Sequence, residues 1–131
     1  MKLVHYSKVD LEPVYTEGAE GAQIRWLIGQ KDGAPNFAMR LFEVAPGGHT
    51  PYHSHEWEHE NFIVEGEGVL QTEEGDLPFG PGDTIYVDPG MVHAYKNTGS
   101  TTLKFLCLIP HEQPIKKKTI NPFADEMANN C

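Results

Sequence analysis

A chain of 131 residues suits one domain built around one hydrophobic core. Ten Lys+Arg against nineteen Asp+Glu leave a formal charge of −9, which argues against nucleic acid and anionic membrane surfaces as partners. No apolar run approaches the roughly 20 residues that span a bilayer, and the start, Met1-Lys2-Leu3-Val4-His5-Tyr6, lacks the apolar stretch of a secretory signal. A cytoplasmic protein is therefore expected. The cysteines, Cys107 and Cys131, form no CxxC pair, and no disulfide is expected in a reducing compartment.

In chain order, residues 24–30 read as a strand with Ile24, Trp26 and Ile28 on one face. Residues 37–45 read as the longest apolar strand, with Phe37, Met39 and Leu41 on one side and Phe42 and Val44 on the other. Pro46-Gly47-Gly48 is expected to end it. A short strand then carries His53 and His55, and the next runs from His59 to about Glu65. A strand from Val69 to Thr72 stops at the turn Glu73-Glu74-Gly75-Asp76. Phe79-Gly80-Pro81-Gly82-Asp83 reads as a tight turn into a strand over 84–87. Asp88-Pro89-Gly90 turns again before a strand from His93 to Asn97, and Asn97-Thr98-Gly99-Ser100 makes a hairpin into a last strand over 103–109.

Such short, regularly spaced strands, about eight to ten of them, read as an all-β sandwich or barrel. Residues 1–110 are assigned to this single domain. Residues 111–131 carry Lys116-Lys117-Lys118 and a polar end, and read as an extended tail with a short helix from Phe123 to Met127. In the last strand Lys104 should face water, which turns Leu103, Phe105, Cys107 and Ile109 inward. Leu106 and Leu108 on its other face are also apolar, as are Phe62 and Val64 opposite His59. A sheet apolar on both faces needs cover on its outer side, from the termini or from a second subunit. We expect a homodimer.

The chemistry is concentrated in histidines. His53 and His55 are two apart, which on a strand puts them on one face. His59 follows four residues later, and His93 stands after Pro89-Gly90-Met91-Val92. Neutral imidazole is the commonest protein metal ligand. Two histidine clusters bracketed by glycines therefore point to a metal held inside a β-structure.

The stretch Gly47, five residues, His53, one residue, His55, three residues, His59, six residues, Gly66 resembles the first motif of the cupin family, with histidine at the position usually held by glutamate. Gly82, Pro89, Gly90, His93 and Asn97 resemble the second motif, except that proline adjoins Gly90 where the family usually places one residue between. The string His53-Ser54-His55-Glu56-Trp57-Glu58-His59-Glu60 is similar to the small manganese-binding cupins with a four-histidine site. The resemblance spans residues 24–110, with the motifs at 47–66 and 82–97. It implies a double-stranded β-helix, the jelly-roll barrel, with one divalent metal inside on His53, His55, His59 and His93. Glu60 is a rival to His59; strand parity forbids both, and the six-residue spacing to Gly66 favours His59.

Manganese is the ion the resemblance implies. Four imidazoles also suit Fe, Cu, Ni or Zn, and affinity order alone favours copper. Four ligands leave room at an octahedral ion for substrate. On the pocket wall we place Phe105, Cys107 and Ile109, with core packing as the plainer reading. Cys107 among apolar neighbours should be inert. Asn61 shares the face of His59 and is a candidate for contact with substrate or water, against a side chain satisfied by backbone. Arg40, alone in an apolar strand, is a candidate for an anionic group through its bidentate fork, with a surface salt bridge as the simpler reading. His5, His49 and His111 are not expected to be ligands.

Function is then expected to be that of a metal-dependent oxidoreductase, dioxygenase-like, acting on a small apolar or aromatic molecule. A non-catalytic sensor or small-molecule-binding domain is the alternative, weakened by the lack of an output domain. A sugar isomerase is a third reading, and it would want more basic groups than Arg40 alone.

Overall fold

The computed structural model describes residues 1–111, so the tail from residue 112, with the helix expected over 123–127, lies outside the described residues. Nine strands are described: β1 (Glu12–Pro13), β2 (Glu20–Ile28), β3 (Phe37–His49), β4 (His59–Glu65), β5 (Gly68–Thr72), β6 (Gly75–Phe79), β7 (Thr84–Val87), β8 (His93–Asn97) and β9 (Leu103–Pro110). Short 3₁₀ turns stand at Tyr6–Lys8 and Gln30–Asp32. Every strand pairing is antiparallel. Among the described residues no helix is long and apolar enough to cross a membrane.

The long strand β3 is the hub. Along Phe37–Val44 it pairs with β9 on one edge, and its other edge pairs with β2. Beyond Pro46-Gly47-Gly48 it continues to His49, which pairs with Lys96 of β8. The strand order β6-β5-β8-β3-β9-β4-β7 therefore turns a corner in β3 and curls the sheet into a barrel. This corrects the expected strand end at Pro46. The turn residues make a bend inside a strand rather than a turn between strands. Gly47 takes a left-handed φ of 81°, and the register of β2 slips between Glu20 and Ala22 opposite the bend. A side chain at Gly48 would put its Cβ 2.6 Å from the Glu20 carbonyl oxygen, so only glycine lets the two strands close there.

The expected alternation in β9 is observed. Leu103, Phe105, Cys107 and Ile109 are buried, while Lys104, Leu106 and Leu108 are half-buried on the outer face. Inside, Phe105 stacks between Tyr95 of β8, at a ring-centroid distance of 4.6 Å, and Phe42 of β3, at 5.4 Å. This stack joins β8, β3 and β9, the middle of the strand path, in one core. A strand that the sequence reading left unassigned, β6, pairs with β5 through the turn Glu73-Glu74. It carries Pro78 on the free edge of the sheet, where a missing N–H costs no ladder bond.

The outer face of β2, β3 and β9 is partly covered by the N-terminal segment. Arg25 donates from Nη1 to the Val9 carbonyl at 2.6 Å and pairs through Nε with Glu43 Oε2 at 2.8 Å. Lys104 Nζ reaches the Tyr6 hydroxyl at 3.2 Å. Farther along, Phe62 and Val64 of β4 and Tyr86 of β7 remain exposed.

Candidate metal centre

Two of the histidines sit on regular strands. His59 opens β4, opposite Val87 of β7, and is fully buried. His93 opens β8 and is also buried. Its approach is shaped by the turn Asp88-Pro89-Gly90, where Gly90 has a φ of 85° and donates its N–H to the His55 carbonyl at 2.8 Å. That bond fastens one histidine loop to the other.

The expected strand through His53 and His55 is not formed. His53 makes one isolated bridge with His93, exchanging N–H···O bonds of 3.1 and 2.9 Å, and His55 lies in the following loop. The two rings are therefore brought to one side by a backbone clasp, not by strand parity. They are half-buried, whereas His59 and His93 are not exposed.

The side-chain geometry is convergent. Ring nitrogens of His53, His55 and His93 lie within 4.8 Å of one another. His59 Nε2 is 3.1 Å from His55 Nε2, and the His59 ring centroid is 5.2 Å from that of His93. The Nδ1 of His93 lies 2.9 Å from the Met91 carbonyl oxygen, which can only accept. That contact places the proton on Nδ1 and leaves Nε2 with a lone pair. Trp57 stacks flat on His55, with centroids 4.3 Å apart and planes within 2°. In the sequence Trp57 stood only as a member of the histidine string, with no sign that it supports a histidine ring.

Glu60 points away from this cluster, as parity requires of the residue next to His59. It lines a cavity of about 560 Å³ with Glu58, Phe37, Leu108, Pro110 and Trp57. Burial, then hydrogen bonding to Glu58 and repulsion from it, push the Glu60 carboxyl up from 4.5 to about 7. Folded protein therefore holds this proton over a range where unfolded chain has released it. Stability should fall as pH rises from about 4.5 to about 7 on this account. Because Glu60 still reaches solvent, the effect should be small. Melting curves across that range should slope less for Glu60→Gln than for the parent; equal slopes would remove Glu60 as a cause.

Asn61 donates from Nδ2 to the Leu106 carbonyl at 3.1 Å and accepts the Tyr95 hydroxyl, so its amide links β4, β9 and β8. Tyr95 was missed in the sequence, although it stands two residues after His93 and so shares its face. Phe105, Cys107 and Ile109 are buried on the inner face as expected. Arg40 corrects its simpler reading. It does not sit on the surface; it is fully buried inside the barrel, beside Trp26 and Phe42. It donates from Nη2 to Cys107 Sγ at 3.0 Å and from Nε to the Cys107 carbonyl at 3.4 Å. His49 remains half-exposed near Glu20, outside the cluster.

The family profile described as Cupin domain matches residues 40–109. The chain belongs to the cupin family. Among its cupin-fold neighbours, the polyketide cyclase RemF from Streptomyces resistomycificus superposes with a TM-score of 0.83 at 35% identity, covering 98% of this chain and 92% of that one. An oxalate-binding protein of Thermotoga maritima is 40% identical over 74 residues, which is 53% of this chain and 61% of that relative. An uncharacterised protein of Methanocaldococcus jannaschii is 35% identical over 111 residues, 82% of this chain and 86% of its own length. A cupin sugar phosphate isomerase from Silicibacter pomeroyi has a TM-score of 0.74 at 21% identity, which speaks to the fold alone.

Proposed function

We propose that this cupin is a metal-dependent enzyme that acts on a small, oxygen-bearing, apolar or aromatic molecule. The observation that carries the proposal is the convergence of His53, His55 and His93 within 4.8 Å, with His59 Nε2 at 3.1 Å from His55 Nε2. Two ligands at right angles on an ion at about 2.1 Å stand about 3.0 Å apart. The three gathered imidazoles would hold one divalent ion, and the approach of His59 Nε2 to His55 supports His59 as a fourth ligand, with manganese the first candidate and Fe, Cu, Ni or Zn also compatible. Such an ion supplies Lewis acidity and, if it is redox-active, an electron-transfer centre.

The protein's own residues do the rest. The Met91 carbonyl fixes the His93 tautomer, and Trp57 holds the plane of His55. Phe42, Phe105 and Tyr95 stack into a buried aromatic layer that meets the His93 ring through Tyr95 at 5.8 Å, a setting that would exclude water and suit an apolar or aromatic molecule. A dioxygenase-like oxidation is the reaction we assign first. A metal-assisted ring closure without oxygen is the second, supported by the similarity to a polyketide cyclase over 98% of the chain. The exposed strip of Phe62, Val64 and Tyr86 offers the surface on which the proposed second copy would pack.

The test begins with elemental analysis of protein purified without added metal or chelator, where near-stoichiometric Mn, Fe or Cu is the expected result. Metal-loaded protein is then screened against small aromatics, diketones and polyketide-like carbonyl compounds. Oxygen uptake matching substrate loss, abolished in His55→Ala, supports the oxidation. Turnover that persists without oxygen supports ring closure. Binding without turnover across the panel would sink both and leave a binding domain.

A further inference from the structure

We infer that Cys107 and Arg40 act together as the positioning pair for His59, so that a sulfur contact sets the deepest ligand of the proposed centre. The inference rests on the four-histidine reading and adds to it the residues that aim one of the rings.

The three side chains come from three neighbouring strands. Arg40 of β3 is paired with Cys107 of β9, and Cys107 is paired with Asn61 of β4. His59 lies two residues before Asn61 and so faces the same interior. His59, Cys107 and Arg40 are each fully buried, so none of these contacts competes with bulk water. Cys107 Sγ lies 3.3 Å from His59 Nδ1 and receives Arg40 Nη2 at 3.0 Å.

Proton bookkeeping fixes the direction of each bond. A histidine that turns a bare Nε2 toward an ion carries its proton on Nδ1, so His59 donates to the sulfur. A guanidinium can only donate, so Arg40 donates to the same sulfur. Sulfur is a weak acceptor on its own. Arg40 acts by position: its contact at 3.0 Å fixes where Sγ stands, and so where the His59 N–H finds its acceptor. Arg40 is itself held by the Cys107 carbonyl at 3.4 Å and by the faces of Phe42 and Trp26, at 5.1 and 5.6 Å. The order of control runs from the aromatic bed to Arg40, to Cys107, to the His59 ring. His93, by contrast, is aimed by the Met91 backbone, which no side-chain substitution can remove.

The test is titration of the metal-free, full-length protein with Co²⁺, read by its visible d–d absorption. Cys107→Ala should weaken Co²⁺ binding by about 10–100-fold and change the spectrum, since orienting partners of ligand histidines contribute on that scale. Cys107→Ser keeps an acceptor and should recover much of the affinity. Arg40→Met leaves all four histidines and Cys107 in the chain yet should shift the same band. Melting of the metal-free variants reports folding separately. Parental affinity and spectrum in Cys107→Ala overturn the inference. If that variant does not fold, a parental affinity and unchanged bands in Arg40→Met overturn it instead. Absence of Co²⁺ binding by the parent refutes the metal reading itself, and the inference falls with it.

Discussion

Replacing His93 by alanine should lower affinity for a divalent ion by about a hundredfold or more, beyond the range typical of residues that merely orient ligands. The His93 ring is central to the cluster, with centroids at 5.4, 5.2 and 5.2 Å from those of His53, His55 and His59. The backbone bridge to His53 uses only N–H and C=O groups, so alanine preserves it and the loop should keep its course. Linkage gives the stability cost. An ion present at about a thousand times its dissociation constant adds about 4.1 kcal/mol, a site weakened a hundredfold retains about 1.4, and about 2.7 kcal/mol is lost. The difference should appear in melting curves with Mn²⁺ and largely vanish with chelator. Full metal occupancy and an unchanged melting temperature in His93→Ala would remove this residue from the ligand set.

Phe105→Ala should cost about 3–5 kcal/mol, a large share of what holds a domain of this size together. Phe105 is fully buried on β9, flanked by β3 and β4, and its ring is stacked on Tyr95 and Phe42. Neighbouring backbones are locked in ladder pairing and cannot collapse far into the space left, so the cavity cost adds to the lost burial. Urea denaturation measures this directly. A cost under about 1.5 kcal/mol, the range of conservative core changes, would mean that the aromatic stack rearranges freely.

How far the sequence could be read depended on whether the deciding contact was local. The inward set of β9 was legible because Leu103, Phe105, Cys107 and Ile109 alternate strictly and Lys104 marks the wet side. The path of β3 was not, because Pro46-Gly47-Gly48 encodes a bend as well as it encodes a turn. The choice is made by pairing with Glu20 and Lys96, which lie far away in sequence. Strand β6 was lost for a similar reason, since Gly75, Asp76 and Pro78 are poor strand formers tolerated only on an edge. The closeness of His53 and His55 was legible from the motif, but not its cause, which is the bridge to His93 and the tie from Gly90. For Arg40 the cost of burying a charge steered expectation to the surface. Parity with Phe42 and Val44 pointed inward, and Cys107 of β9 supplies two acceptors to the buried charge.

The corner in β3 has a mechanical consequence. His59 stands on the β9–β4–β7 limb of the curled sheet and His93 on the β8–β5–β6 limb, so the two rings meet only after the limbs have folded toward each other. An ion shared between them would be a rivet across the barrel, restricting the open chain as a cross-link does and yielding only when both limbs part. The loaded barrel would then come apart in one event, whereas the ion-free barrel could loosen limb by limb.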